Sequence, residues 1–212
     1  MSSPGERRPH GGGAAGLAAD GRDPRRVPAN WRRLLDPDEW RLNAEGLPFR
    51  RAARVIALRR DPRPAILLVV GHDFSDASRS WAFTPGGGLL PGETPLGGAR
   101  RELAEETGIG LAEACFTGPV VERRAVFAFN RVTCRQDELF YLTHLAAGDD
   151  VVDQSGWTDT ERELLDSLRW WELDELDAAV AAGMTVYPRM LPALARELME
   201  GWDGRVRHVV EH

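Results

Sequence analysis

The sequence predicts an α/β domain, and three observations lead there. Two aliphatic stretches, Phe49 to Leu58 and Ala65 to Val70, read as a strand pair around the arginine- and proline-rich connection Arg59 to Pro64. A segment with explicit helix start and stop signals follows at about Pro95 to Thr107. Two more strand-like stretches, Val120 to Phe129 and Leu139 to Leu145, come after it.

Taken in order, Met1 to about Pro28 is Gly, Ala, Pro and Arg with almost no large apolar residue. It cannot repay the entropy of ordering and reads as a disordered arm over residues 1–29. Trp31, Leu34, Leu35 and Trp40 recur at near-helical spacing, which predicts a short helical lead-in between Asn30 and Leu42. After the strand pair, Asp73 to Ser80 reads as a polar loop, and Trp81-Ala82-Phe83 as a short strand leading into the glycines at 86–88. Arg131 to Glu138 is a polar connection or a strand start. Gly148 to Asp159 is a long acidic and polar segment of the kind that closes over a site. Helices are expected from about Leu173 to Ala182 and from Arg189 to Met199. The tail 201–212 carries no readable signal, so the folded domain is placed at 30–200, with no internal repeat and no linker to a second domain.

Composition narrows the function. The formal charge of −6 on 212 residues argues against non-specific nucleic-acid binding, which needs a basic surface. No apolar run reaches the ~20 residues of a membrane span, and the N-terminus lacks the hydrophobic stretch of a signal peptide, so a cytoplasmic location is the expectation. Cys115 and Cys134 have no metal-site spacing and are read as reduced. All 27 basic residues are Arg, a bias attributed to a GC-rich coding sequence.

The chemistry concentrates between Gly87 and Ile109. There Gly87, Glu93 and the run Arg101-Glu102-Leu103-Ala104-Glu105-Glu106-Thr107-Gly108-Ile109 form the pattern G-x5-E-x7-R-E-U-x-E-E-x-G-U, where U is a bulky aliphatic and every specified position is filled. Thr94 is placed to cap a helix beginning at Pro95, and Gly108 to end it in a left-handed turn. Leu96, Ala99 and Leu103 then share an apolar stripe, while Glu102, Glu105 and Glu106 crowd an arc of about 100° beside it. Like charges at these spacings weaken a helix by a few tenths of a kcal/mol per pair, so the cluster gains nothing for the fold unless a cation occupies it. Hard oxygen donors suit Mg²⁺ or Mn²⁺ and not Zn²⁺. Upstream, Thr84 to Glu93 reads as a loop in which Gly86, Gly87 and Gly88 let backbone amides approach phosphate oxygens. A glycine loop is often only a turn and an acidic helix face often only solvated; it is their joint spacing that points to chemistry.

This pattern resembles the Nudix box, the signature of the Nudix hydrolase family. The resemblance implies an α/β/α sandwich with a mixed β-sheet. It also implies metal-dependent cleavage of the pyrophosphate bond in a nucleoside diphosphate linked to another moiety: a sugar nucleotide such as ADP-ribose, or a nucleoside triphosphate. Glu102 and Glu106 become the principal ligands of Mg²⁺, or of Mn²⁺, with Glu105 as a third. Glu138, otherwise a turn residue, is implied to stand at the head of a strand facing the metal. Glu102 or Glu105 is the first candidate for the general base, with Glu138, Glu161 and Glu163 outside the box also in play. Glu93 and Arg101 are expected to pair and fix the helix against the glycines. The expected partner is a small nucleotide, with oligomeric state open between monomer and homodimer. Trp81, Phe127, Phe129, Phe140, Trp157 and Tyr187 are candidates to stack on a base, and Arg51, Arg54, Arg123, Arg124, Arg131 and Arg135 to grip phosphates. Two alternatives come from other classes. A non-catalytic nucleotide sensor of the same fold would usually lose box glutamates, all kept here. An isopentenyl-diphosphate isomerase relies on a cysteine before the box, and both cysteines here follow it.

Overall fold

Strand β2 (Pro48–Arg59) is the spine of the molecule, because its side chains alternate between two apolar clusters that hold helices on opposite faces. Ala53, Val55 and Ala57 pack with Leu67 and Val69 under helix α1 (Pro95–Thr107), through Ala99 and Leu103. Ile56 and Leu58 face the other way. They pack with Ile66 and Leu68 against helix α2 (Leu173–Ala181) and helix α3 (Leu191–Glu200), through Leu176, Leu191, Leu194 and Leu198. The result is the helix–sheet–helix layering the resemblance implies. The small Ala53 and Ala57, fully buried, leave room for α1 to lie close to the sheet.

The computed structural model describes residues 16–73, 76–146, 148, 152–153 and 165–212. Its sheet is mixed and curled. The main strand order is β10-β6-β7-β2-β3-β4-β9, with β1 (Arg41–Leu42) and β5 (Gly86–Gly88) also pairing with β2, and β8 (Leu165–Glu172) pairing with β3 (Ala65–Asp73). β2 runs parallel to β7 (Val132–Leu145) from Phe49↔Arg135 to Arg59↔Leu145 and antiparallel to β5 at Ala53↔Gly87. β6 (Thr117–Phe129) and β7 form a hairpin whose two-residue turn, Asn130-Arg131, has positive φ at both positions, the conformation that matches strand twist.

Several expectations are corrected. In the stretch read as a loop from Asp73 to Ser80, the described residues are strand: β3 ends at Asp73 and β4 (Asp76–Phe83) pairs back on it, so backbone pairing with an aliphatic neighbour overrides the polar composition. The helical lead-in shrinks to a 3₁₀ turn, Trp31–Arg33, because Pro37 disfavours helix in the residue before it. Residues 16–28, assigned to the disordered arm, are folded in turns, and Val27 is buried with Trp31, Leu35, Trp40 and Val132. Backbone bonds Asp23 N–H to Gly46 O (2.9 Å) and Thr133 N–H to Arg26 O (3.2 Å) hold a stretch that has little apolar surface of its own. The unread tail supplies β10 (Arg207–Glu211), parallel to β6 at the sheet edge, and β9 (Thr185–Tyr187) extends β4. No helix among the described residues is long and apolar enough to cross a membrane.

Candidate active site

Helix α1 begins and ends where its sequence says. Thr94 Oγ1 accepts the Gly97 N–H at 3.1 Å, Pro95 takes the first position, and Gly108 closes the helix at φ 75° with its N–H on Ala104 O. Those ends fix the phase of the helix and so the direction of its glutamates. Glu106 is buried, and its Oε2 accepts the Gly86 N–H at 2.8 Å. Glu102 lies against Gly87 so closely that a Cβ there would stand 2.6 Å from Glu102 Oε1. Glu105, 58% exposed, points outward.

Arg101 binds this cluster together. It makes a two-point ion pair with Glu93 (2.9 and 3.0 Å), reaches Glu102 at 2.8 Å and Glu105 at 2.9 Å, and donates to Gly88 O at 3.0 Å. The hydrogen bonds from Arg101 hold Glu93 below the usual carboxylate range. Glu102 is different: burial pushes its carboxyl up, and the charge of Arg101 only partly offsets that. A shielded carboxylate with unrelieved desolvation is a natural partner for a cation. Among the described residues no three acidic, histidine or cysteine side chains already converge on one point. The donor chemistry nonetheless fits a hard divalent ion, since Glu102, Glu105 and Glu106 offer only carboxylate oxygens and two of the three abut the glycines.

The glycines themselves are a correction. Gly86 to Gly88 form strand β5 and not an open loop, with the Gly86 amide given to Glu106 and the Gly86 and Gly88 carbonyls to Arg54 and Arg101. Gly86 (φ 141°) has no space for a side chain, as a Cβ would meet Ala53 O at 2.4 Å and Arg54 Cα at 2.5 Å. At Gly87 the three nearest atoms all belong to the Glu102 carboxylate, the far end of a side chain. Gly86→Ala is therefore expected to destabilise the fold, whereas Gly87→Ala should keep its melting temperature and lose metal-dependent activity by displacing one carboxylate. Thermal melts and turnover of the two variants check this; equal melting temperatures for both would contradict it.

Glu138 also moves from its expected place. It stands in the middle of β7 and shares its face with Phe140 and Leu142, under α2 and α3, while Leu139 and Tyr141 face α1. Its buried carboxylate accepts from Arg54 Nε and Arg123 Nη1, both at 2.5 Å, and from Gln136 Nε2 at 2.6 Å. Burial opposes its charge, but Arg54 and Arg123 more than offset that and hold the carboxyl below its ordinary range. Among the described residues it is linked to the box through Arg54, which also donates to Thr84 O and Gly86 O at 3.0 Å.

Of the other candidates, Phe140 is core, and Phe127 and Phe129 pack around Trp40. Trp81 and Tyr187 line a cavity. Arg54 adjoins the box, whereas Arg123 pairs with Glu138 and Glu211, Arg135 pairs with Glu45 and Asp137, Arg124 lies 3.8 Å from Asp137, and Arg131 sits in the hairpin turn. Arg51 is exposed on β2. Glu161, Glu163, Trp157 and most of the acidic segment lie outside the described residues; within that segment, Asp153 donates its N–H to Thr107 O at the end of α1 (2.8 Å). Sequence reading missed Trp171 and Arg169, which also line the cavity. Only the alternation of β8 after residue 165 carries a signal for them.

The family model described as NUDIX domain matches residues 48–200. The RNA pyrophosphohydrolase of Bartonella bacilliformis is 39% identical over 66 residues, and that of Bartonella clarridgeiae 37% over 68. These matches take in 30% and 31% of this chain and span only 38% and 39% of the relatives' length. Among solved structures, the MutT protein from Bacillus halodurans is similar at a TM-score of 0.49 and 16% identity, over 77% of this chain and 90% of that one. An Ap4A hydrolase of C. elegans is similar at 0.44 and 18%, over 70% and 96%.

Proposed function

The chain belongs to the Nudix family, and from that premise we propose that it is a Mg²⁺-dependent pyrophosphohydrolase. Its proposed substrate is a nucleoside diphosphate linked to a further group, either a sugar or more phosphate. The observation that carries this reading is the placement of Glu102 and Glu106 against the glycines of β5, with Arg54 donating to the Gly86 carbonyl of the same strand.

Glu102 and Glu106 would hold the cation, with Glu105 completing the set once it leaves Arg101. A bound divalent ion supplies charge neutralisation on the pyrophosphate oxygens and a more acidic attacking water. Hydrolysis then needs positioning and a proton acceptor. Glu105, the most exposed of the three, is the proposed acceptor for the proton of the attacking water, either in place of or alongside its role as a ligand. Arg54, which shares the Glu138 carboxylate with Arg123, presents guanidinium charge to phosphate oxygens beside β5. Glu138 is thus proposed as the anchor of these arginines and not as a metal ligand.

A substrate panel tests the reading: ADP-ribose, nucleoside triphosphates, a dinucleoside tetraphosphate and, because of the relatives' name, 5′-triphosphorylated RNA, each with Mg²⁺ and with EDTA. Release of phosphate after phosphatase coupling, dependent on Mg²⁺, is the expected result. Tight nucleotide binding with no turnover of any compound would instead identify a sensor.

A further inference from the structure

We propose that the carboxylate of Glu211 fills a seat for a phosphate group, formed by the guanidinium of Arg123 together with the backbone N–H and side chain of Arg189, and that phosphate displaces it there. The inference goes beyond the cleavage reading and does not depend on it.

The donors of the seat are set by the fold. Arg123 stands in β6 with 10% of its side chain exposed, and one end of its guanidinium is anchored on the buried Glu138 carboxylate. From its other edge Nε donates to Glu211 Oε2 at 2.7 Å, with Nη2 2.6 Å from the same oxygen. The second carboxylate oxygen, Oε1, accepts the Arg189 N–H at 2.7 Å. Arg123 and Arg189 both lie over the Tyr187 ring, at 5.5 and 5.8 Å from its centroid. Among the described residues the Arg189 side chain has no ion-pair partner, and it is exposed, so the seat opens to solvent on that side. A guanidinium edge plus a backbone N–H suits phosphate, and a phosphate dianion brings one more oxygen and one more charge than a carboxylate. That further oxygen can meet the Arg189 guanidinium, which Glu211 leaves unused.

Glu211 is held less firmly than the donors it meets. β10 contains no buried residue, Val210 is 62% exposed, and its five residues pair with β6 at the edge of the sheet. Segments with so little buried surface open at the low end of a protein's local stability. Glu211 is the last residue of β10, so a turn of its side chain frees the donors without unpairing the strand. The seat is also separate from the glutamates of α1. Register sets Arg123 opposite Glu138, Glu138 beside Ala52, and Ala52 opposite Gly88. Three strand spacings are roughly 14 Å, farther than a single pyrophosphate reaches. A phosphate bound at Arg123 is therefore a second anion, either a remote phosphate of a long substrate or free phosphate.

Calorimetric titration of orthophosphate in EDTA tests the seat. An internal carboxylate weakens binding by the fraction of time it fills the site, so Glu211→Gln should bind phosphate at least about tenfold more tightly than wild type. Adding Arg189→Gln to that variant should remove most of the gain, and acetate, with no third oxygen, should gain little. No gain for phosphate in a folded Glu211→Gln protein would overturn the seat, as would an equal gain for acetate. Should that variant melt below the working temperature, the wild type decides: phosphate, and not chloride, should shift the nitrogen NMR signals of the Arg189 amide and Arg123 Nε together, and stationary signals would overturn the proposal. With Mg²⁺ and a substrate, phosphate that competes more strongly in Glu211→Gln than in wild type assigns the seat to the substrate's remote phosphate. Phosphate bound without such competition assigns it to free phosphate. The titrations in EDTA read no turnover, so phosphate bound here by a chain that hydrolyses nothing would keep the seat and sink only the hydrolase reading.

Discussion

Glu106→Gln is expected to lose more than about 100-fold in Mg²⁺-dependent hydrolysis, beyond the loss typical of removing a residue that merely supports a metal ligand. Glutamine retains the length of the side chain and a carbonyl oxygen able to accept the Gly86 N–H, so the join between α1 and β5 persists. Only the charge goes. The melting temperature in EDTA should therefore match or exceed that of the wild type, because one of three neighbouring like charges is removed. Turnover near the wild-type value would remove Glu106 from the metal site.

Glu138→Ala acts on stability instead. Arg54 and Arg123 meet at this one buried carboxylate, with 12% and 10% of their side chains exposed. Removing it leaves two guanidinium groups confined together, with Glu211 remaining for Arg123. Deleting one partner of such an arrangement costs about 3–5 kcal/mol, which lowers the melting temperature by roughly 6–20 °C in a domain of this size. The pH dependence carries the same signature. Because the folded protein holds the Glu138 carboxyl below its ordinary value, its contribution is present above the unfolded pKa of about 4.3 and is lost as pH falls through the lower folded value. Urea unfolding at neutral and acid pH should show wild type and variant converging at low pH. A variant within about 1 kcal/mol of wild type at pH 7 would contradict the assignment.

What the sequence makes legible is local. Thr94, Pro95 and Gly108 signal the ends of α1 in residues adjacent to those ends, and the alternation of β2 and β3 is visible in their own side chains. What it hides is pairing. Gly86 to Gly88 look like a loop because nothing nearby in sequence shows that β2, some thirty residues earlier, takes them as a strand. Glu138 looks like the end of a polar connection because Arg54 and Arg123, which explain it, lie 84 and 15 residues away. The tail is silent for the same reason: β10 exists through its parallel pairing with β6, and Glu211 through its bond to Arg123. Trp171 shows only as an aromatic in a strand; its unpaired N–H is a property of the packed interior.

Uptake of a divalent ion by the carboxylates of α1 is the step on which all of the proposed chemistry depends. Titration of Mn²⁺ followed by electron paramagnetic resonance, on the wild type and on the Glu102→Gln and Glu106→Gln variants, measures this without any substrate. Wild type should bind Mn²⁺, with Mg²⁺ competing for it, and each variant should bind it at least about tenfold more weakly. Equal uptake by all three proteins, or none by the wild type, would contradict it.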